Sequence, residues 1–226
     1  MFSAKRKVRS NGKTVVGEIS SLKRKAVQFE SGLEEELIYI LDFDSDVKSY
    51  HDQPIQITYQ DEQGKERIYT PDYLVEYKDG SKVLFEVKSK EFIAKNQKEY
   101  RRIVKAGKGY CKSRSWIFKV ITDRDIMTDY GANVRFLFYY QTYPLDLAIS
   151  NVVLGELKKL GKSTPGELAL KLSAKSEEAL NLISAIWILV KSKQISCDLF
   201  QPIHMETPIS VSTTKRIKEL KYPYKS

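Results

Sequence analysis

Three side chains in the middle of the chain have the types and spacing for phosphate chemistry. Asp72 closes the run Tyr69-Thr70-Pro71-Asp72, thirteen residues separate it from Glu86, and Glu86-Val87-Lys88 follows. Carboxylates are hard oxygen ligands suited to Mg²⁺. A bound divalent ion acidifies water and neutralises charge developing on a phosphate. A neighbouring lysine can orient or deprotonate that water, or stabilise the transition state. The set therefore suits metal-assisted hydrolysis of a phosphodiester bond, with Asp72 and Glu86 as metal ligands and Lys88 as the catalytic lysine.

Two strands must bring these residues together. Tyr73–Tyr77 and Lys82–Lys88 read as short strands joined through Asp79-Gly80, a hairpin signal. With a two-residue loop, Lys78 faces Ser81 and Asp72 points away from Glu86 and Lys88. With the three-residue loop Asp79-Gly80-Ser81, Lys78 faces Lys82. Tyr73, Val75 and Tyr77 then oppose Val87, Phe85 and Val83 as one apolar face, and Asp72 opposes Lys88 beside Glu86 on the other. The apolar pattern selects this second register. An acid ahead of one strand and acid-x-lysine on the next is the Asp…(Glu/Asp)-x-Lys pattern of metal-dependent nucleases. The plain alternative is a solvated hairpin with alternating charges.

A further acid is available from a preceding helix. Phe29–Phe43 reads as helical, with Ser31 at the N-cap and Glu34 completing a capping-box pattern. At ~100° per residue, Leu33, Leu37, Ile38, Ile40 and Leu41 make the buried stripe. Glu34 falls inside it, whereas Glu35 and Glu36 fall outside. A carboxylate on the buried side needs a partner. A metal would serve, and so would the Ser31 cap or an ion pair with Lys48.

The remaining elements frame a mixed sheet. Val47–Tyr59 reads as extended with a break at Gln53-Pro54, and Trp116–Thr122 as a strand. Asn133–Tyr140 fits a helix or a strand equally. Glu91–Lys105 reads as a basic amphipathic helix carrying Lys95, Lys98, Arg101, Arg102 and Lys105, placed to meet a DNA backbone. Each of these cations taken alone is as readily a solvated charge. The fold class is α/β, a mixed sheet with flanking helices. Residues 1–145 form the first domain, opening with a basic arm over 1–28, and 146–226 form the second. There Thr164-Pro165-Gly166-Glu167 opens a helix, a second runs from about Ser176 to Lys191, and Ile195–Val211 reads as a small hairpin. That order matches a winged-helix outline, and Lys215–Ser226 is a second basic tail.

Composition is consistent with this. The 226 residues carry 38 Lys and Arg against 29 Asp and Glu, a formal charge of +9, which favours an anionic partner such as nucleic acid. Two cysteines and two histidines exclude a disulfide framework and most zinc enzymes. The N-terminus has no apolar signal region, and no run approaches the ~20 apolar residues of a membrane span. A cytoplasmic protein without membrane contact is expected.

Four motifs occur in family-like order: Phe29-Glu-Ser-Gly-Leu-Glu34, Val47-x-x-Tyr50-x-x-Gln53-Pro54, Tyr69-Thr-Pro-Asp72-Tyr-Leu and Phe85-Glu-Val-Lys88. Together they resemble the TnsA-type endonucleases of heteromeric cut-and-paste transposons, including those carried with CRISPR effectors, within the PD-(D/E)xK superfamily. The resemblance implies a restriction-endonuclease-like fold, a mixed sheet with flanking helices, and an enzyme that uses Mg²⁺, with Mn²⁺ as a substitute, to cut the 5′ strands at transposon ends. A DDE-type, TnsB-like transposase would cut and join the 3′ ends. An AAA+, TnsC-like regulator would dock on the C-terminal region, in a bacterial, nucleoid-associated setting. Carried over by motif, Glu34, Asp72 and Glu86 are metal ligands and Lys88 the catalytic lysine, with Gln53 an accessory position. Two other readings share these residues: a free-standing restriction or repair nuclease, and a non-enzymatic DNA-binding assembly subunit.

Overall fold

The computed structural model describes residues 17–21, 23, 26–141, 143–173 and 175–213. Most of the expected basic arm and all of the expected C-terminal basic tail lie outside the described residues. The part of the arm that is described is not an extended tail. β1 (Gly17–Ile19) and β2 (Val27–Phe29) pair antiparallel, Gly17 opposite Phe29 and Ile19 opposite Val27. Phe29 thus belongs to a strand, and α1 (Gly32–Phe43) begins only after Ser31 caps it by accepting the Glu34 N–H.

The chain divides into two compact units, 1–127 and 128–226. In the first, β3 (Val47–Asp52), β6 (Tyr73–Tyr77), β7 (Lys82–Val87) and β8 (Ile117–Ile121) form a four-stranded mixed sheet in the order β3-β6-β7-β8. β6 pairs antiparallel with both β3 and β7, and β7 pairs parallel with β8. β4 (Ile57–Gln60) and β5 (Glu66–Tyr69) make a separate hairpin around the polar Asp61–Lys65 turn. β5 carried too weak an alternation to be read from sequence.

The β6–β7 register differs from expectation by two residues. Tyr73 opposes Phe85, Val75 opposes Val83, and Glu76 opposes Lys82. The loop is Lys78-Asp79-Gly80, closed by the Tyr77 N–H donating to Ser81 O at 2.9 Å. Gly80 has φ +85, so glycine takes the left-handed place at the end of the loop instead of its middle. A shift of two keeps pleat parity. The faces therefore came out as expected while the individual pairs did not.

Both faces of the sheet are covered. On one, Tyr50 is buried beside Val75, and its hydroxyl donates to Asp42 of α1 at 2.8 Å. On the other, Leu74, Leu84 and Phe118 pack with Ile57, Tyr69, Ile103, Ala106 and Cys111. The expected single basic helix is two, because Asn96 breaks the run (φ −123, ψ 41). α2 spans Lys90–Lys95 and α3 spans Gln97–Lys112. α3 lies close against β8: a Cβ on Gly107 would come within 2.3 Å of the Phe118 ring. Glycine is required there for close packing. A short α4 (Asp123–Ile126) ends the unit.

The second unit contains α5 (Asp129–Phe138), α6 (Leu147–Leu160), α7 (Pro165–Leu172) and α8 (Ser176–Lys191), with β9 (Ile195–Ser196) antiparallel to β10 (Ser210–Val211). The ambiguous 133–140 stretch is largely helical, in α5. α7 opens as its sequence requires, with Thr164 and Glu167 exchanging capping bonds and Pro165 in the first turn. Ser163 bridges Ile209. Trp187, Ile186 and Leu189 are buried in this unit's core. No helix among the described residues is long and apolar enough to cross a membrane.

Candidate active site

Asp72 immediately precedes β6 and is held from two sides. Its N–H donates to Phe85 O at 3.1 Å, and its Oδ2 accepts the Val87 N–H at 2.6 Å. The rigid Pro71 before it and the paired strand after it fix the carboxylate at the end of the hairpin. Glu86 sits on the α3 side of β7, beside Val120 of β8 in the pairing, with only 3% of its side chain exposed. Lys88 follows the strand, its N–H donating to Ile121 O at 3.0 Å.

The three side chains meet. Lys88 Nζ lies 2.5 Å from Glu86 Oε1 and 3.8 Å from Asp72 Oδ2. Glu86 Oε2 accepts the Tyr69 hydroxyl at 2.5 Å. The ammonium also lies 5.7 Å from the centre of the Phe92 ring. Tyr69 was not singled out as a site residue, although it opens the Tyr69-Thr-Pro-Asp72 run. Its role is visible only once the β4–β5 hairpin is seen to lean over β7.

Glu34 approaches from the first turn of α1. Its Oε2 accepts the Glu30 N–H at 3.0 Å, and its Oε1 accepts the Ser31 hydroxyl at 3.0 Å. Lys48, the ion-pair alternative, bonds Glu76 at 2.6 Å instead. Glu34 therefore serves its helix end, yet it also feels Asp72 and Lys88 electrostatically. Burial, and then the Asp72 charge, push its carboxyl up to about 7. The same two causes push Glu86 up to about 8, against the opposing pull of Lys88 and Tyr69. Burial draws the Lys88 ammonium downward, but Asp72 and Glu86 outweigh it and hold the lysine above its ordinary value.

Burial and mutual repulsion keep this centre from carrying its full negative charge without a further cation. Glu34, Asp72 and Glu86 bring three carboxylates toward one ammonium, and two of the three resist ionisation. A divalent ion is the counter-charge that hard oxygen donors of this kind favour, so the donor set fits Mg²⁺ in chemistry. The carboxylates are not gathered into a ready cage: among the described residues, no three Asp, Glu, His or Cys side chains stand as a metal-holding group. Lys88 and the helix cap hold the oxygens meanwhile. The two thiols offer nothing, since burial pushes Cys111 and Cys197 up to about 11.

The expected DNA-contact residues divide. Lys98, Arg101 and Lys105 are exposed on α3, and Lys108 and Lys112 continue the same row at alternating three- and four-residue spacing. The last two lie past the helix end assumed from the sequence, so they were missed. Arg102 turns aside to pair with Glu62, and Lys95 on α2 pairs with Glu91. Gln53 lies beside the site, its N–H donating to Asp72 O at 2.8 Å.

Residues 44–123 match the family model described as TnsA-like endonuclease N terminal. That interval contains Gln53, Asp72, Glu86, Lys88 and the basic row, whereas Glu34 precedes it. No curated protein matches the chain. Over residues 44–123 the chain is therefore similar to the N-terminal domain of TnsA-like endonucleases.

Proposed function

We propose that this protein is a divalent-metal-dependent DNA endonuclease that cuts the 5′ strands at transposon ends during cut-and-paste transposition. The observation that carries the reading is the meeting of Asp72, Glu86 and Lys88 at one end of the β6–β7 hairpin, within a TnsA-like endonuclease domain. Asp72, Glu86 and Glu34 would hold Mg²⁺, or Mn²⁺ in its place. The ion would supply an acidified water and a counter-charge for the phosphate.

The chain's own groups support the rest. Lys88 is kept protonated by its two carboxylates, which suits it to stabilise charge on a phosphate oxygen more than to act as a base. Val87 N–H and Tyr69 orient Asp72 and Glu86, so the acids do not have to reorganise when substrate arrives. The α3 row runs from Lys98 to Lys112, about 21 Å at 1.5 Å per residue. That length spans roughly six base-pair steps of duplex. It gives sequence-independent grip on double-stranded DNA. Sequence choice and timing would come from a DDE-type transposase and an AAA+ regulator, the latter docking on the second unit, where α7, α8 and the β9–β10 pair would serve as a winged-helix-like surface.

Strand mapping on end-labelled transposon-end DNA, with the transposase present, tests this. Wild-type protein with Mg²⁺ should cut the 5′ strands, and Lys88→Ala should abolish that cut while the 3′ cuts persist. Unchanged 5′ cutting by Lys88→Ala would overturn the mechanism. Efficient cutting by the protein alone would indicate a free-standing nuclease.

A further inference from the structure

Gln53 combines three features that folding alone does not explain. First, its backbone is in the left-handed region, φ +41, although it is neither glycine nor asparagine and precedes Pro54, which steers its predecessor toward extended geometry. Such strain persists only where surrounding contacts hold it, and it concentrates at functional sites. Second, its side-chain Oε1 is sealed from solvent with no hydrogen-bond partner. The orientation is not interchangeable: Nε2 donates to Glu30 Oε1 at 2.9 Å, and a carboxylate can only accept. Buried acceptors are ordinarily satisfied, so an orphan asks for an explanation.

Third, the residue closes a continuous chain between the Asp72 backbone and the Glu34 carboxylate. Gln53 N–H donates to Asp72 O at 2.8 Å, Gln53 Nε2 donates to Glu30, and the Glu30 N–H donates to Glu34 Oε2 at 3.0 Å. Between the start of α1 and the start of β6 the sequence runs through β3 and the β4–β5 hairpin, and the Tyr73 hydroxyl, donating to Gln28 O at 3.2 Å, ties β6 to the strand before α1 without reaching either acid. The Gln53 bridge ties the backbone bearing one acid to the segment gripping the other.

We propose that Gln53 is a positioning residue that fixes Glu34 relative to Asp72, so that both carboxylates reach one divalent ion. The inference rests on the hydrolytic reading above and adds to it the device that sets the spacing of two of its ligands. Strain and an unsatisfied acceptor mark a position where stability has been given up for geometry.

Full-length variants test it through Mn²⁺ affinity, read by isothermal titration, beside thermal midpoints in chelator. Gln53→Met removes the donor to Glu30 and the orphan acceptor together. It should leave the chelated midpoint close to wild type while weakening Mn²⁺ binding by about 10- to 100-fold, as loss of an outer partner of metal ligands does. Gln53→Glu should be at least as damaging, because it sets two carboxylates face to face. Adding Glu30→Gln restores a donor–acceptor pair of opposite polarity and should recover most of the lost affinity. Unchanged Mn²⁺ affinity in Gln53→Met, or no recovery in the double variant, would overturn the proposal. So would a lowered chelated midpoint with unchanged affinity, the signature of a merely structural residue. Asp72→Asn in the same titration separates the levels: if it too binds Mn²⁺ as wild type does, the metal reading itself fails and the Gln53 role falls with it.

Discussion

The Tyr69 hydroxyl donates to Glu86 Oε2 at 2.5 Å, reaching from the β4–β5 hairpin onto a carboxylate that the sheet has almost entirely desolvated. Lys88 takes the other oxygen of the same group. Glu86 is thus satisfied at both oxygens by side chains from different parts of the fold, as a buried charged group requires. Tyr69→Phe leaves one oxygen without its donor while conserving shape. We expect a stability loss of about 1–3 kcal/mol, the usual cost of an unsatisfied buried group. Cleavage should fall as well, through a Glu86 no longer held in place. Denaturant titration beside strand-cleavage rates checks both.

Stability should depend on pH in a direction opposite to that of ordinary surface carboxylates. Glu34 and Glu86 have folded-state values of about 7 and about 8, above the ordinary 4.5, because burial and Asp72 disfavour their charged forms. Between 4.5 and those values the native state binds more protons than the unfolded chain, so stability falls as pH rises. Lys88 is shifted upward and contributes its stabilisation throughout this window. The thermal midpoint in chelator should therefore decline from about pH 5 to about pH 8. Glu86→Gln should flatten the slope, whereas a midpoint that rises across the same range would contradict the electrostatic description.

DNA affinity should report the α3 row residue by residue. Single alanine substitutions of Lys105, Lys108 or Lys112 should each reduce the salt slope of duplex binding by about 1, with no change in sequence preference. Arg102→Ala should change the slope less, because its guanidinium is already paired with Glu62. Fluorescence anisotropy over a range of salt concentrations reads both.

The packing of α3 on β8 has its own test. Gly107→Ala places a Cβ within 2.3 Å of the Phe118 ring, so the helix or the ring must move. We expect a loss of about 1–3 kcal/mol in the denaturation of the first unit, as overpacking usually costs.

Much of this site was legible in the sequence because its elements are local. Ser31 and Glu34 announce a helix start, Asp79-Gly80 announces a hairpin, and alternating Tyr73, Val75 and Tyr77 choose a face. The exact pairing was not legible, because a shift of two residues leaves every face unchanged and only the position of Gly80 in the loop decides it. Asn96 carries no strong breaking signal, so two helices read as one; Lys108 and Lys112 fall outside the expected row because the sequence reading ends that helix at Lys105, whereas α3 runs to Lys112. The role of Tyr69 depends on a contact between elements distant in sequence, which no local pattern encodes; Gln53 stands out through its motif, but its bonds to Glu30 and Asp72 are visible only in the fold. The two-unit division falls after Met127, where α5 joins the helices that follow it; the sequence had suggested the break at Pro144 and beyond.

Direct metal binding is the most exposed part of the account. Isothermal titration of the full chain with Mn²⁺ at neutral pH should show saturable binding that Asp72→Asn removes and Lys88→Ala keeps, since the lysine is a counter-charge and not a ligand. Binding that is equal in wild type and Asp72→Asn, or no binding in either, would contradict the hydrolytic site built from Asp72, Glu86, Lys88 and Glu34.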